Sequence, residues 1–319
     1  MAANKFERVF VVGAYLPNGG TFMAYQLGRL LQRDFGLTAI AVQTADETAD
    51  NGIQKYDVRM PSVSIAEMEK QITARDVLIV NPSFSFHRFG GRLPGFKICY
   101  VQGFNTFALL DLNFDCYVAV SDFVQNFLSA VYGLDVDVIP PFIDADAFPP
   151  ASEWSDRPAA NVLCYGKGDA ESWKLPFDRL REIVHSRAPH VRLSEPLAAH
   201  GRPRRELLSV IGGYRYFLTL SPAEGFGLVP LEAMAMGATV VGYDGFGGRH
   251  YMRDGKNCAV AAYPQIDRVA DRLIDLIEHP DRALLLAEAG RDTAAAYSYD
   301  RFRNDWIARF ARALGIPAK

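Results

Sequence analysis

The feature that most constrains the fold is a set of short segments that are apolar on both alternating sides. Arg8–Gly13, Thr38–Val42, Val77–Asn81, Lys97–Gln102, Tyr117–Ser121, Asn161–Gly166, Tyr216–Leu220 and Ala238–Tyr243 are of this kind. A strand with one face in water alternates apolar and polar residues. A strand apolar on both sides needs cover on both faces, which is the situation in a parallel sheet wrapped by crossover helices. Helical patterns separate the runs as that arrangement requires: Thr21–Arg33, Asp122–Tyr132, Phe177–Ser186, Arg204–Ile211 and Val229–Met236. Val136–Ile139 and Val191–Leu193 read as further short strands. Ile266, Val269, Ala270, Leu273, Ile274 and Ile277 fall on one helical face, as do Phe302, Trp306, Phe310 and Leu314. The expected class is α/β, doubly wound.

A chain of 319 residues accommodates two such domains. The sharpest composition break lies between Pro140-Pro141 and Pro149-Pro150, so the first domain is expected over 1–150 and the second over 151–298. Residues 299–319 are expected to form a closing helix. The net charge of −3 supplies no basic field for nucleic acid. Cys99, Cys116, Cys164 and Cys258 lie far apart in apolar surroundings and read as buried free thiols, which fits a cytoplasmic location. No signal-peptide pattern opens the chain, and no run approaches the ~18 apolar residues of a membrane span. No two histidines have metal-ligand spacing, and the basic run Arg202-Pro203-Arg204-Arg205 reads as a solvated helix cap.

The most informative stretch is Tyr216–Asp244, YFLTLSPAEGFGLVPLEAMAMGATVVGYD. An apolar strand ends at Leu220, a Gly-containing loop follows, and a helix begins near Pro230, which suits a first helical position. Gly237 is placed to end that helix in a left-handed conformation. Backbone N–H groups are thereby delivered to the carboxyl edge of a parallel sheet at a helix N-terminus, a site favourable to phosphate. Glu224 and Glu232 stand eight positions apart across the loop. Glu232, expected on the first helical turn, is either a dipole-compensating charge worth about 0.3–1 kcal/mol or a ligand for hydroxyls. Val229 stands where a capping box would need Ser or Thr. Glu224 is either an exposed loop acid or a second hydroxyl-reading carboxylate.

EGFGLVPLE followed by AMAMG resembles the Glu-x7-Glu motif of retaining glycosyltransferases of the GT-B type represented by family 4, and ATVVGYD…GG…DGKN continues the family's order. The resemblance implies two Rossmann-like domains facing a cleft and transfer of a sugar from a UDP-, GDP- or other nucleoside-diphosphate sugar, without a required metal or other cofactor. It puts the donor sugar on Glu224 and on the loop Ser221, Gly225, Phe226 and Gly227, with the helix start at Leu228 and Val229, and the nucleotide ribose on Glu232. Gly19 and Gly20 resemble the glycine loop that approaches the donor phosphate. YGKGDAESWK resembles the segment supplying two cations to the diphosphate, with Lys167 in place of the usual Arg, and Lys174 two residues later than usual. Arg to Lys loses bidentate geometry but keeps a point charge.

VDVIPPFIDADAF resembles the segment ending the family's first domain. Its aspartates make two DxD triplets, Asp135–Asp137 and Asp144–Asp146, which a metal reading would use and the linker pattern explains without one. Two further positions depart from the family. Gln102 stands where many relatives carry His, so an amide would meet the sugar there and nothing titrates. Tyr251 stands where relatives often have Glu. The implied acceptor is a saccharide, a lipid-linked group or a small molecule. These departures leave open a catalytically idle sugar-nucleotide binder; a sugar-nucleotide epimerase is a second alternative, which would want additional acids and a base around the sugar.

Overall fold

The computed structural model describes residues 5–13, 19–43, 60–104, 107, 109–144, 148–167, 170–197 and 204–314. They form two compact units, Met1–Pro141 with Phe302–Lys319, and Phe142–Arg301. The chain passes from one to the other at Pro141–Phe142 rather than at the expected 150–151. The reason is local. The Ile143 N–H donates to the Tyr297 carbonyl at 2.9 Å, and the Phe142 ring meets Tyr299 edge-on, so the residues after Pro141 are bonded into the second unit.

In the first unit the order is β1 (Arg8–Val12), α1 (Gly19–Phe35), β2 (Thr38–Gln43), β3 (Ser62–Ser64), α2 (Ile65–Gln71), β4 (Asp76–Val80), α3 (Phe89–Arg92), β5 (Phe96–Val101), β6 (Cys116–Ala119), α4 (Asp122–Tyr132) and β7 (Asp137–Val138). The strands form one parallel sheet, β3-β2-β1-β4-β5-β6-β7. Its order reverses between β1 and β4. Phe10 and Val12 face one apolar layer while Val9 and Val11 are equally buried on the other side, as the two-sided apolar runs require. Trp306 and Phe310, on the closing helix, lie edge-on to Tyr100 and Phe35.

The second unit runs β8 (Asn161–Tyr165), α5 (Ala170–Arg187), β9 (Arg192–Leu193), α6 (Arg204–Ile211), β10 (Tyr216–Thr219), α7 (Leu228–Ala235), β11 (Thr239–Tyr243), β12 (Ala259–Ala261), α8 (Ile266–Glu278) and α9 (Pro280–Ala295), and α10 (Tyr299–Leu314) closes the chain. Its parallel sheet has the order β12-β11-β10-β8-β9, which reverses between β8 and β10. Ligands of open α/β sheets bind beyond the carboxyl ends of strands at such a reversal. Helix α5 begins at Ala170, seven residues before its expected start, and Pro176 lies inside it. Proline removes one helical hydrogen bond without forbidding the turns on either side, and Lys174 therefore stands on a helix, exposed, rather than in a loop.

All four cysteines are buried free thiols, and burial pushes Cys116 up to about 11 and Cys164 and Cys258 up to about 12, far from reactive thiolates. Among the described residues no helix is long and apolar enough to cross a membrane. At the start of β4, Asp76 is fully buried and accepts from Arg8 at 2.7 and 2.9 Å and from the Thr73 N–H at 2.7 Å. Burial alone would raise its carboxyl, but these bonds outweigh that and hold it below the ordinary value. The contribution to stability is therefore present above the unfolded carboxylate range near pH ~3.9 and is lost as pH falls through the lower folded value. Asp76→Asn should cost roughly 1–3 kcal/mol at neutral pH. Denaturant melts from neutral pH down to acid should also show the variant losing less stability than the parent on acidification.

Candidate functional site

The site of the second unit is built where β8 and β10 diverge. The Lys167 N–H, just past β8, donates to the Ser221 hydroxyl just past β10 at 3.2 Å, tying the two loops together. Ser221 is fully buried, so its hydroxyl serves this tie. From the same pair of loops, Lys167 Nζ lies 2.5 Å from Glu224 Oε2. The lysine side chain is 42% exposed and the carboxylate 7%, so a half-open cation holds a buried acid at the sheet edge. Burial excludes the reading of Glu224 as a solvated loop charge.

The loop carrying Glu224 is knitted to the loop after β11. The Glu224 N–H donates to the Gly245 carbonyl at 2.7 Å, and the Gly247 N–H returns a bond to the Glu224 carbonyl at 3.1 Å. A side chain at Gly247 would bring its Cβ within 2.2 Å of the Gly225 carbonyl oxygen, so only glycine allows this approach. The Asp244 carboxylate accepts from the Phe246 N–H at 2.9 Å, and Phe246 adopts φ 66°. Phe246 is thus held in a backbone conformation that a non-glycine residue enters only under constraint.

Gly227 has φ 88° and occupies the position before α7, with no side-chain cap. This left-handed residue starts the helix at Leu228, earlier than Pro230 had suggested. Pro230 consequently sits third in the helix, where its missing N–H would still lack an intrahelical acceptor. Glu232 moves beyond the first turn, and the first turn contains no acid. Glu232 is therefore not a dipole-compensating charge. It is buried, and its partner is Arg204, with Nη2 at 2.9 Å from Oε1. Arg204, expected in a solvated cap, is an ion-pair partner of the motif. Burial raises the Glu232 carboxyl, and Arg204 opposes that shift. Gly237 ends the segment at φ 72°, as its position predicts.

Two tyrosines join the carboxylates. Burial holds the Tyr165 and Tyr251 phenols well above their ordinary value, and both feel the charges of Glu224 and Glu232. The two acids thus share one neighbourhood. Tyr251 is almost fully buried and donates its hydroxyl to the Gly227 carbonyl at 2.6 Å, fixing the peptide from which α7 springs. Sequence reasoning registered Tyr251 only as a missing acid. Its role as a brace depends on a contact 24 positions away. Phe226 turns its side chain inward against Tyr251, Tyr297 and His250. Only its backbone can meet a ligand, whereas Leu228 and Val229 are half-buried at the helix start.

In the first unit the expected residues meet as a separate group. Gly19 and Gly20 open α1, and Gln102 Nε2, beyond the end of β5, donates to the Gly20 carbonyl at 2.8 Å. The loop residues Pro17 and Asn18 lie outside the described residues. Asp137 of the first DxD triplet pairs with Arg309 at 2.5 Å, and Asp146 of the second lies outside the described residues. Among the described residues no three His, Cys, Asp or Glu side chains gather as a metal site would need.

Two doubly wound parallel sheets, the second carrying a Glu-Gly-Phe-Gly loop and a glycine-started helix at its reversal point, define the GT-B type of glycosyltransferase fold. Residues 197–293 match the model of the family Glycosyl transferases group 1, a span from before α6 into α9. The match is confined to the second unit. It is 30% identical over 166 residues to the D-inositol 3-phosphate glycosyltransferase of Corynebacterium urealyticum, covering 51% of this chain and 38% of that protein. It is 36% identical over 95 residues to the GDP-mannose-dependent alpha-(1-6)-phosphatidylinositol monomannoside mannosyltransferase of Mycobacterium tuberculosis, covering 27% of this chain and 25% of that protein. The chain thus spans less than half the length of these curated relatives. Among solved structures, HepE of Anabaena in complex with UDP-glucose superposes with a TM-score of 0.74 at 12% identity, over 96% of this chain and 99% of the other. That likeness is one of fold.

The knitted loops make two expectations. Gly247→Ala should force the Glu224–Gly225 backbone away and lower the melting temperature. Tyr251→Phe, which removes one hydroxyl and little else, should cost roughly 1–3 kcal/mol in denaturant unfolding because the Gly227 carbonyl loses its buried donor.

Proposed function

We propose that the protein is a retaining glycosyltransferase that moves a sugar from a nucleoside-diphosphate sugar to an acceptor hydroxyl. The observation that carries this reading is the pairing of Lys167 with Glu224 at the reversal point of the second sheet, beside the start of α7. A diphosphate needs cations and unpaired N–H groups, and a sugar needs a carboxylate to accept from its hydroxyls. The two sheet-edge loops offer both within one ion-pair distance. Lys167 keeps ammonium hydrogens beyond the one directed at Glu224, and its exposure leaves them open to phosphate. The N–H groups of Leu228 and Val229 lie in the first turn of α7, where no intrahelical acceptor exists for them. Glu232, one turn on, is suited to the ribose.

In the transfer, the bond from the anomeric carbon to the phosphate oxygen breaks, and its electron pair leaves with the nucleoside diphosphate. The acceptor oxygen bonds to the anomeric carbon and gives up its proton to a departing phosphate oxygen. Charge therefore grows on phosphate oxygens, the atoms that Lys167, Lys174 and the α7 amides are suited to receive. Preorganised donors of this kind can each lower a barrier by about 2.7–4 kcal/mol. With no side-chain nucleophile in the scheme, retention requires the acceptor to enter on the face from which the diphosphate departs. No resident metal enters this scheme.

Incubation with a panel of UDP- and GDP-sugars should show slow release of the free nucleoside diphosphate. An isomerised donor would instead make the protein an epimerase, and tight binding without turnover would make it a binder. Glu224→Gln, which preserves volume, should lower that release by about 10²-fold or more while the melting temperature holds. Unchanged release in this variant would remove Glu224 from the reaction.

A further inference from the structure

Arg204 stands at a place where local electrostatics does not want it. It is the first residue of α6, and the N-terminal end of a helix carries partial positive charge that disfavours a cation. Its neighbour Arg205 is exposed to water there. Arg204 instead turns inward, with its side chain 27% exposed, towards a carboxylate and an aromatic ring. The Glu232 carboxylate lies 2.9 Å from Nη2, and the Phe148 ring lies beneath the guanidinium, 5.7 Å from its centroid. The three residues come from three separate segments: the start of α6, the second turn of α7 and the approach to β8. Helix preference explains none of this, so the explanation lies in what Arg204 does to Glu232.

We propose that Arg204 is the positioning residue that aims Glu232 at the ribose of the donor nucleotide, and that the site distinguishes ribonucleotides from their deoxy counterparts through this pair. The inference rests on the reading of Glu232 as the ribose carboxylate. A carboxylate has two oxygens in one plane, and fixing Oε1 on Arg204 sets the direction of Oε2. Phe148 restrains the guanidinium from its other side, so the plane does not wander. Without the cation, burial would favour the neutral acid, whose hydroxyl competes as a donor and whose carbonyl is a weaker acceptor. Arg204 need not touch the nucleotide to act in this way.

The full-length protein is titrated calorimetrically with UDP and GDP, and then with the 2′-deoxy and 3′-deoxy forms of whichever binds more tightly. The parent protein should prefer the ribose form over at least one deoxy form by about 10- to 100-fold, the range of one hydrogen bond to a charged group. Glu232→Gln should collapse that ratio towards one. Arg204→Met should collapse it as well, Arg204→Lys should restore most of it, and Arg205→Met should leave it at the parental value. Because Arg204→Met strands a buried carboxylate and can impair folding, Arg204→Gln is measured in parallel and should also lose the preference. A collapsed ratio in Glu232→Gln with a parental ratio in Arg204→Met or Arg204→Gln would overturn the role of Arg204 alone. A parental ratio in Glu232→Gln, or no binding of either nucleotide, would overturn the ribose reading and the inference with it.

Discussion

Two backbone hydrogen bonds, from Glu224 to Gly245 and from Gly247 back to Glu224, hold the site in register. They extend the pairing of β10 with β11 past the end of the sheet, into loops that would otherwise be bonded to water. The extension explains why glycine occupies 247 and why Phe246 accepts a positive φ. It also fixes where the Glu224 side chain must go. With both backbone polar groups of Glu224 committed sideways, its carboxylate projects to the loop that follows β8, where Lys167 waits. The geometry of the acid is thus inherited from the sheet.

Burying two carboxylates in one neighbourhood is electrostatically unfavourable, and the structure offsets it asymmetrically. Glu224 meets a flexible, half-exposed lysine, whereas Glu232 meets an arginine held against an aromatic ring. A lysine is a compact, strongly hydrated charge that can be shared with an incoming anion. A guanidinium is planar and weakly hydrated, and is suited to a fixed pairing. The difference matches the demands on each acid. Near the reacting bond the cation must also serve phosphate, so a mobile partner is an advantage. At a ribose the partner need only stay still.

The sheets were legible because fully apolar β runs have few other places to go, and Arg204–Ile211 and Asp122–Tyr132 emerge as helices with the bounds their patterns suggest. The start of α7 lies one residue before the expected Val229, since proline is a stronger signal on paper than a glycine whose φ is unknown. The start of α5 at Ala170 likewise precedes the expected Phe177. The acids of the motif stand out by their spacing, and Lys167 only by the resemblance of its segment. Their partners were harder to see. Arg204 pairs with a residue 28 positions away and Tyr251 braces one 24 away, and no local periodicity encodes either contact. The boundary at Pro141 was hidden similarly, being set by bonds from Phe142 and Ile143 to the far end of the second unit.

Tyr251 shows how the family pattern can change without loss of the loop it supports. An acid at this position could only accept hydrogen bonds and would add a third negative charge beside Glu224 and Glu232. The phenol donates, and it stays neutral because burial and the two carboxylates hold it well above its ordinary value. It therefore seeks a carbonyl, and the one it finds belongs to Gly227, the residue whose left-handed turn launches α7. Anchoring that carbonyl orients the peptide joining Gly227 to Leu228, and with it the first N–H of the helix. The substitution exchanges a charge for a brace, and the amides of the helix start keep their direction.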